Sequence, residues 1–121
     1  MSIGFLDNEA IDFLCGENTL LDSQLIDFSI ANCFSNPVIN LKFSARKNAG
    51  YIVAHLKFSD VLEFDFSYIK NYPFFVVEDI KFFVDDDFYY LSLQADERVG
   101  VASVDDKNFI KAKSVELFLI F

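Results

Sequence analysis

A single histidine, His55, limits the catalytic chemistry that this chain of 121 residues can assemble. Ser-His-Asp and Cys-His arrangements need an imidazole as general base, so either could form only around His55. A metal site built mainly from histidine would also be short of ligands. His55 lies in the alternating segment 51–58, where it shares a strand face with Val53 and Lys57. We interpret it as a half-exposed strand residue without a catalytic task.

Carboxylates are the most abundant ionisable groups, with nineteen Asp and Glu residues. Asp85, Asp86 and Asp87 could offer oxygen ligands to Ca²⁺, but the spaced acids and central glycine of an EF-hand loop are absent. Glu63 and Asp65 are two residues apart in a predicted strand, so they point the same way and could form a glycosidase-like pair. With so many carboxylates such sets arise by chance, and we interpret both as solvated surface acids.

The sequence shows no pattern typical of a cofactor site or an activated nucleophile. Its four glycines are far apart and fit neither the Walker nor the dinucleotide pattern. There is no nucleophile elbow and no Cys-x-x-Cys pair. Cys15 and Cys33 are isolated on apolar segments and are expected to be buried, unpaired thiols. The sequence therefore predicts a protein that is not an enzyme and has no cofactor and no metal site.

The charge distribution predicts a surface that binds a cationic partner. Ten Lys and Arg against nineteen Asp and Glu give a net charge of −9, which argues against direct binding to nucleic acid or to anionic membranes. Residues 1–41 contain six acids and no Lys or Arg. Acidic fields steer basic partners, although a charge of this size also promotes ordinary solubility. The candidate partner-binding residues are Asp22, Asp27, Glu63, Asp65, Asp85, Asp86 and Asp87.

Length and hydropathy predict one cytoplasmic domain over residues 1–121. A hydrophobic fraction of 53%, with sixteen Phe and five Tyr, is ample for one core. The amino terminus lacks the basic and apolar regions of a secretory signal, and no stretch approaches the roughly 18 apolar residues of a membrane span.

The tyrosines also include candidates for interface anchors, which are Tyr51, Tyr68, Tyr72, Tyr89 and Tyr90.

Residues 8–15 are predicted to form one short helix at the start of the chain. Asp7 or Asn8 can cap its first turn, and Gly16 can end it. The face expected to pack on the core is set by the spacing i, i+3, i+4 and consists of Ile11, Leu14 and Cys15.

Alternation of apolar and polar residues predicts β-hairpins from about residue 23 to residue 121. In the first strand, Ile26, Phe28 and Ile30 are expected to share one side, opposite Asp27 and Ser29. The next hairpin joins segments 39–45 and 51–58, and the clearest one joins 74–84 to 88–95 through three aspartates. The remaining predictions are strands at 60–68 and 115–121 and a helical turn at 105–108.

These elements predict a mainly β (α+β) fold of about seven strands with one short N-terminal helix. An antiparallel sheet, a two-sheet sandwich and a partly closed barrel all fit the pattern. No βαβ rhythm, linker or internal repeat occurs. The acids that could bind a partner would then lie on strand faces and at hairpin turns.

Residues 20–30, Leu-Leu-Asp-Ser-Gln-Leu-Ile-Asp-Phe-Ser-Ile, and residues 56–61, Leu-Lys-Phe-Ser-Asp-Val, resemble segments of small acidic bacterial immunity proteins. In that class an apolar-Asp-Ser-x-apolar entry precedes successive β-hairpins, and a Phe-x-Asp/Asn-Val segment follows. Immunity proteins neutralise cognate toxins of polymorphic or contact-dependent inhibition systems. The resemblance covers about residues 20–95 and implies stoichiometric inhibition of a basic toxin, expected to be a nuclease, through an acidic face. It implies no catalytic residues.

Two other classes of function stay open on the residues alone. The chain could be a structural or assembly protein, homo-oligomeric or phage-related, or it could be a small-ligand-binding β domain or an enzyme whose site the sequence does not reveal. A neighbouring reading frame that encodes a basic toxin domain would favour the inhibitor. Self-association of the isolated chain would favour the assembly protein, and a large internal apolar cavity would favour the ligand-binding domain.

Overall fold

The computed structural model describes residues 2–67 and 76–121, which form one antiparallel sheet with a short helix and a 3-10 turn. The strands are β1 (Ser2–Leu6), β2 (Gln24–Ala31), β3 (Val38–Ser44), β4 (Val53–Asp65), β5 (Lys81–Asp85), β6 (Phe88–Gln94) and β7 (Lys107–Ile120). Helix α1 spans Asn8–Phe13, and the 3-10 turn spans Gly16–Asn18. The sheet is not closed, so the predicted mainly β class is confirmed as an open antiparallel sheet.

Strand β7 lies in the middle of the sheet, whose order is β2-β3-β4-β7-β6-β5. One edge of β7 pairs with β4, while the other pairs with β6 in its first half and with β1 in its second half. Asp7 fills the gap between those two neighbours. Its N–H donates to the carbonyl of Val115 at 2.8 Å, and its Oδ1 accepts the Val115 N–H at 2.9 Å.

The core lies on one face of the sheet, where period-two alternation places the apolar side chains. The fully buried apolar residues of the central strands are Ile39, Leu41 and Phe43 of β3, Ala54, Leu56 and Phe58 of β4, and Ile110, Ala112, Val115, Leu117 and Leu119 of β7. Helix α1 adds Ala10 and Leu14 to the same cluster. Burying each large side chain contributes roughly 1.5–3 kcal/mol, so these strands supply most of the hydrophobic stabilisation.

The alternation of inward and outward residues is interrupted at one level of β4 and β7, which we call the bend. In β7, Lys113 and Ser114 both lie outside the core between buried Ala112 and buried Val115. In β4, Ser59 and Asp60 do the same after buried Phe58. Asp60 has a φ of 51°, which is uncommon for a residue other than glycine. Since a regular strand alternates, two outward residues in succession change which positions face the core, and the pairing register of β4 with β7 also shifts between Val61 and Glu63.

The bend divides the outer surface into two halves. The His55 half carries His55 and Lys57 of β4 beside Phe118 of β7. The Glu63 half carries Glu63 and Asp65 of β4, which pair with Lys111 and Phe109 of β7. Glu63 follows His55 by eight positions along β4, which is at most about 26 Å of extended strand.

Several predicted strand boundaries are wrong. The predicted strands 51–58 and 60–68 are one strand, β4, because the chain continues through Asp60 instead of turning. The predicted strand 74–84 begins outside the described residues, and its regular part is β5 alone. No helical turn forms at 105–108, since β7 begins at Lys107. Strand β1 was not predicted, while the hairpin of β5 and β6 is confirmed.

The predicted inward face of β2 is partly wrong because of a β-bulge. The pairing register between β2 and β3 shifts between Leu25 and Asp27. Leu25 therefore packs on the core together with Phe28 and Ile30, and Ile26 is 56% exposed. Because the bulge adds one residue to β2, the residues before it point to the opposite side of the sheet from the one that simple alternation predicts.

The helix is shorter than predicted, and its inward face differs. Ala10 and Leu14 are buried, whereas Ile11 is half-buried and Cys15 is exposed. Asp7 precedes α1, but its carboxylate bonds to β7 and makes no capping hydrogen bond. The predicted buried thiols are also wrong: Cys15 and Cys33 are both free and exposed.

Within residues 2–67 and 76–121, no helix is long and apolar enough to span a membrane.

Candidate functional site

The loop between β6 and β7, residues 95–106, is fixed in place by the buried side chain of Lys81. The Lys81 ammonium donates to Asp96 Oδ1 at 2.6 Å, to the carbonyl of Val101 at 2.8 Å and to Asp106 Oδ1 at 2.9 Å. Only 5% of the Lys81 side chain is exposed. One cation from β5 thereby holds three points of the loop, and we call residues 95–106 the pinned loop.

Asp106 is the acceptor at the centre of the pinned loop. Its side chain is completely buried and accepts from the Tyr90 hydroxyl at 2.6 Å. It also accepts the backbone N–H groups of Asp96 at 2.8 Å and of Ser103 at 2.9 Å. Among the described residues, no buried side-chain nitrogen or oxygen lacks a hydrogen-bond partner. A satisfied polar network of this kind selects one loop conformation.

The network shifts the pKa values of its members. Burial and the neighbouring Asp106 raise the pKa of the Tyr90 hydroxyl, so it remains a donor. The hydrogen bond from Lys81 holds the pKa of Asp96 well below its usual range. Burial opposes ionisation of Asp106, but the hydrogen bonds from Tyr90, the backbone and Lys81 lower its pKa overall. Both carboxylates are therefore ionised at neutral pH.

Acid is expected to destabilise the fold by protonating this network. A carboxylate whose pKa is lower in the folded chain stabilises the fold above its unfolded value, about 3.9 for Asp, and this stabilisation is lost as pH falls further. The free energy of unfolding, measured by urea titration at several pH values, should fall steeply below about pH 4. Asp96→Asn should flatten that slope. Glu97→Gln, at the exposed neighbouring acid, is the matched control, and equal slopes in wild type and Asp96→Asn would contradict this account.

The pinned loop presents apolar side chains to solvent. Val99 is 94% exposed, Val101 49% and Val104 98%. Val104 lines the groove between this loop and the sheet, whereas Val99 lines a separate cavity beside β5, so the three do not form one patch. Exposed apolar side chains on an ordered loop are available for contact with another protein.

A groove of about 380 Å³ lies between the pinned loop and the Glu63 half of the sheet. Its lining residues are Glu63, Asp65, Tyr90, Ala102, Ser103, Val104, Phe109 and Lys111. Glu63 pairs with Lys111 at 3.3 Å, and the Lys111 ammonium lies 5.9 Å from the centre of the Phe109 ring. The groove, together with the exposed Val104 that lines it, forms the candidate site.

The predicted partner-binding acids do not form one patch. Glu63 and Asp65 line the groove. Asp85 ends β5, and Asp86 and Asp87 form the exposed turn of the β5–β6 hairpin.

The two earlier acids of that set lie elsewhere. Asp22 lies in the turn before β2, where its N–H donates to the carbonyl of Val77 at 2.8 Å. Asp27 lies opposite Lys42 in the pairing of β2 with β3, on the His55 half. The structure therefore brings Glu63 and Asp65 together in the candidate site and leaves Asp22 and Asp27 away from it.

His55 lies in a strand and is half-buried. Its Nε2 is 2.8 Å from Asn40 Oδ1, and since that oxygen only accepts, Nε2 carries the proton. Burial and the ammonium groups of Lys42 and Lys57 lower its pKa, so the ring is neutral at pH 7. The ring packs against Phe118, with centroids 5.5 Å apart.

The sequence interpretation missed the pinned loop. Lys81, Tyr90 and Asp106 are distant in sequence, and only a lysine within an otherwise apolar strand segment hinted at a buried cation. Tyr51 and Tyr90 are buried and Tyr89 is half-buried, so none of these three is an exposed anchor; Tyr68 and Tyr72 lie outside the described residues. Within residues 2–67 and 76–121, no three His, Cys, Asp or Glu residues are grouped so as to hold a metal ion.

Comparison of the chain with protein-family models, with curated proteins and with solved structures finds no match.

Proposed function

We propose that this chain is a non-catalytic binding protein of the cytoplasm that acts as an immunity protein and inhibits a basic toxin by stoichiometric binding. The observation that carries the proposal is the pinned loop, which presents Val104 at the acidic groove of Glu63 and Asp65 and also exposes Val99 and Val101. The resemblance of residues 20–30 and 56–61 to immunity proteins supports the same role.

The candidate site has the layout of a protein interface. Interfaces usually combine an apolar centre with a polar rim, and here Val104 and Phe109 supply the apolar part and the acids the rim. Because Lys81 and Asp106 already order the loop, less conformational entropy is lost when a partner binds. A preformed surface of this kind favours tight one-to-one binding.

The negative charge of the acidic rim indicates the class of toxin. Nucleases bind a polyanion and therefore carry basic surfaces. Asp65 makes no ion pair with any described residue, and Asp85, Asp86 and Asp87 are exposed, so these carboxylates are available to a basic surface. We therefore expect a nuclease toxin whose basic surface is covered in place of phosphate.

The decisive experiment tests, as candidate toxins, basic domains encoded by the reading frames that neighbour this gene. Co-expression of the chain should protect cells from one such toxin, and the two purified proteins should elute as a one-to-one complex without nuclease activity. A chain that captures only copies of itself would instead support an assembly protein. Protection without a complex would contradict inhibition by binding.

Charge reversal at the groove should weaken toxin binding. Asp65→Lys is expected to lower the association rate about tenfold at low salt, with a smaller effect at high salt because screening acts over about 8–10 Å. Asp27→Lys, which makes the same change on the His55 half, is the matched control. Surface plasmon resonance at several salt concentrations measures both. A loss of affinity with Asp27→Lys and none with Asp65→Lys would place the interface on the other half.

A further inference from the structure

Strand β5 ends the sheet, and none of the described residues pairs with its outer edge. In an antiparallel pair, alternate residues direct their N–H and C=O groups away from the neighbouring strand. The hairpin turn contains two residues, Asp86 and Asp87, so the closing pair Asp85 and Phe88 exchanges hydrogen bonds. It follows that Phe82 and Val84 direct their backbone groups outward.

A slot of about 490 Å³ runs along this edge. Its floor is formed by residues 80–83, four consecutive residues that include the start of β5. One wall is the end of α1 and the residues after it, including Leu14 and Gly16. The other wall is the part of the pinned loop from residue 96 to residue 100.

The charges at the two ends of β5 oppose pairing with a second copy. Asp79 precedes the strand, and Asp85, Asp86 and Asp87 end it. In an antiparallel pair of two β5 strands centred on Phe83, Asp87 of each copy would lie opposite Asp79 of the other. Like charges directly opposite each other are destabilising in a sheet. Edge acids of this kind are a common means by which proteins prevent self-association.

The same charges favour a different protein with basic residues. We infer that the outer edge of β5 binds an extended segment of another protein, which adds a strand to the sheet and carries Lys or Arg at both ends of the paired stretch. The backbone groups of Phe82 and Val84 form the hydrogen bonds, and the terminal acids pair with the basic residues. This site is distinct from the acidic groove, and it does not depend on the partner being a toxin.

Two synthetic peptides with blocked ends test the inference on the full chain. The basic probe is Lys-Thr-Val-Thr-Val-Thr-Lys, and the acidic probe is the same peptide with Glu at both ends. Titration of isotope-labelled protein at low salt should give saturable amide shifts in residues 80–85 and 96–100 with the basic probe. The acidic probe should bind at least about tenfold more weakly because of the terminal acids. Equal affinities would overturn the charge argument.

Val84→Pro tests the backbone contribution, because proline removes one outward N–H. We expect it to lower the affinity for the basic probe about tenfold, whereas Val84→Thr, which keeps the N–H, should bind like wild type. A basic probe methylated on alternate backbone nitrogens makes the same test on unaltered protein, should Val84→Pro unfold. Unchanged affinity of the methylated probe, or shifts confined to Asp86 and Asp87, would show charge attraction alone and overturn strand addition. If the wild-type chain self-associates and Val84→Pro abolishes that self-association, a second copy of the chain occupies the edge of β5. That result would also overturn the inference of a different protein partner.

Discussion

Asp106→Ala is expected to lower the free energy of unfolding by about 3–5 kcal/mol. The substitution removes the acceptor of the Tyr90 hydroxyl and of the N–H groups of Asp96 and Ser103. It also leaves the buried Lys81 ammonium with one carboxylate in place of two. Each buried donor left without an acceptor costs about 1–3 kcal/mol. Because the Asp106 side chain is completely buried, water can replace the lost acceptor only in part.

Urea denaturation measures this loss, and hydrogen exchange locates it. Exchange should accelerate first in residues 95–106, because the loop depends on Asp106 more than the sheet does. Asp105→Ala is the matched control: its carboxylate is 72% exposed, lies 3.8 Å from Arg98 and should change stability by less than about 0.5 kcal/mol. Equal effects of the two substitutions would mean that the pinned loop contributes nothing to the fold.

Phe58→Ala should also cost about 3–5 kcal/mol. Phe58 is completely buried and pairs with Ile39 of β3 and Val115 of β7, so its ring fills space between three strands. The sheet on either side limits how far the neighbours can collapse into the cavity.

The chain offers a control of the same type, since Phe34 is fully exposed in the turn between β2 and β3. Phe34→Ala should leave the free energy of unfolding, measured by urea denaturation, within about 0.5 kcal/mol of wild type. A small loss for Phe58→Ala, comparable to that of Phe34→Ala, would show that the core is not where the sheet places it.

The strands with regular alternation were predictable from the sequence. β3 and the first half of β4 alternate without interruption, and their register follows from burying one face. The β5–β6 hairpin was predictable because adjacent aspartates favour a tight turn and interrupt a strand.

The bend and the bulge were not predictable, because they depend on contacts between strands. The alternation of segment 60–68 looks like a new strand, and only pairing with β7 shows that Asp60 continues the old one. Ile26 has the spacing of a core residue, but the bulge beside it turns it outward. β1 was missed because its short segment is recognisable only through its partner β7.

The sequence indicated that the candidate site would be acidic, but it did not indicate which part of the chain would lie beside the acids. Glu63 and Asp65 were identified as acids on one strand face, which the structure supports by placing both in the groove. The exposure of Val99, Val101 and Val104 could not be predicted, since a loop that contains valine has the composition of a strand. Their exposure depends on the hydrogen bonds from Lys81, which lies 25 residues before Asp106.

The position of β7 also determines the order in which the sheet can form during synthesis. β7 is the last of the seven strands along the chain, and it pairs with β4, β6 and β1. While residues 107–120 are still inside the ribosome, each of those three strands lacks its main neighbour. The nascent chain then exposes apolar strand edges of the kind that aggregate or recruit chaperones. We expect the sheet to close in one late step, after β7 has emerged.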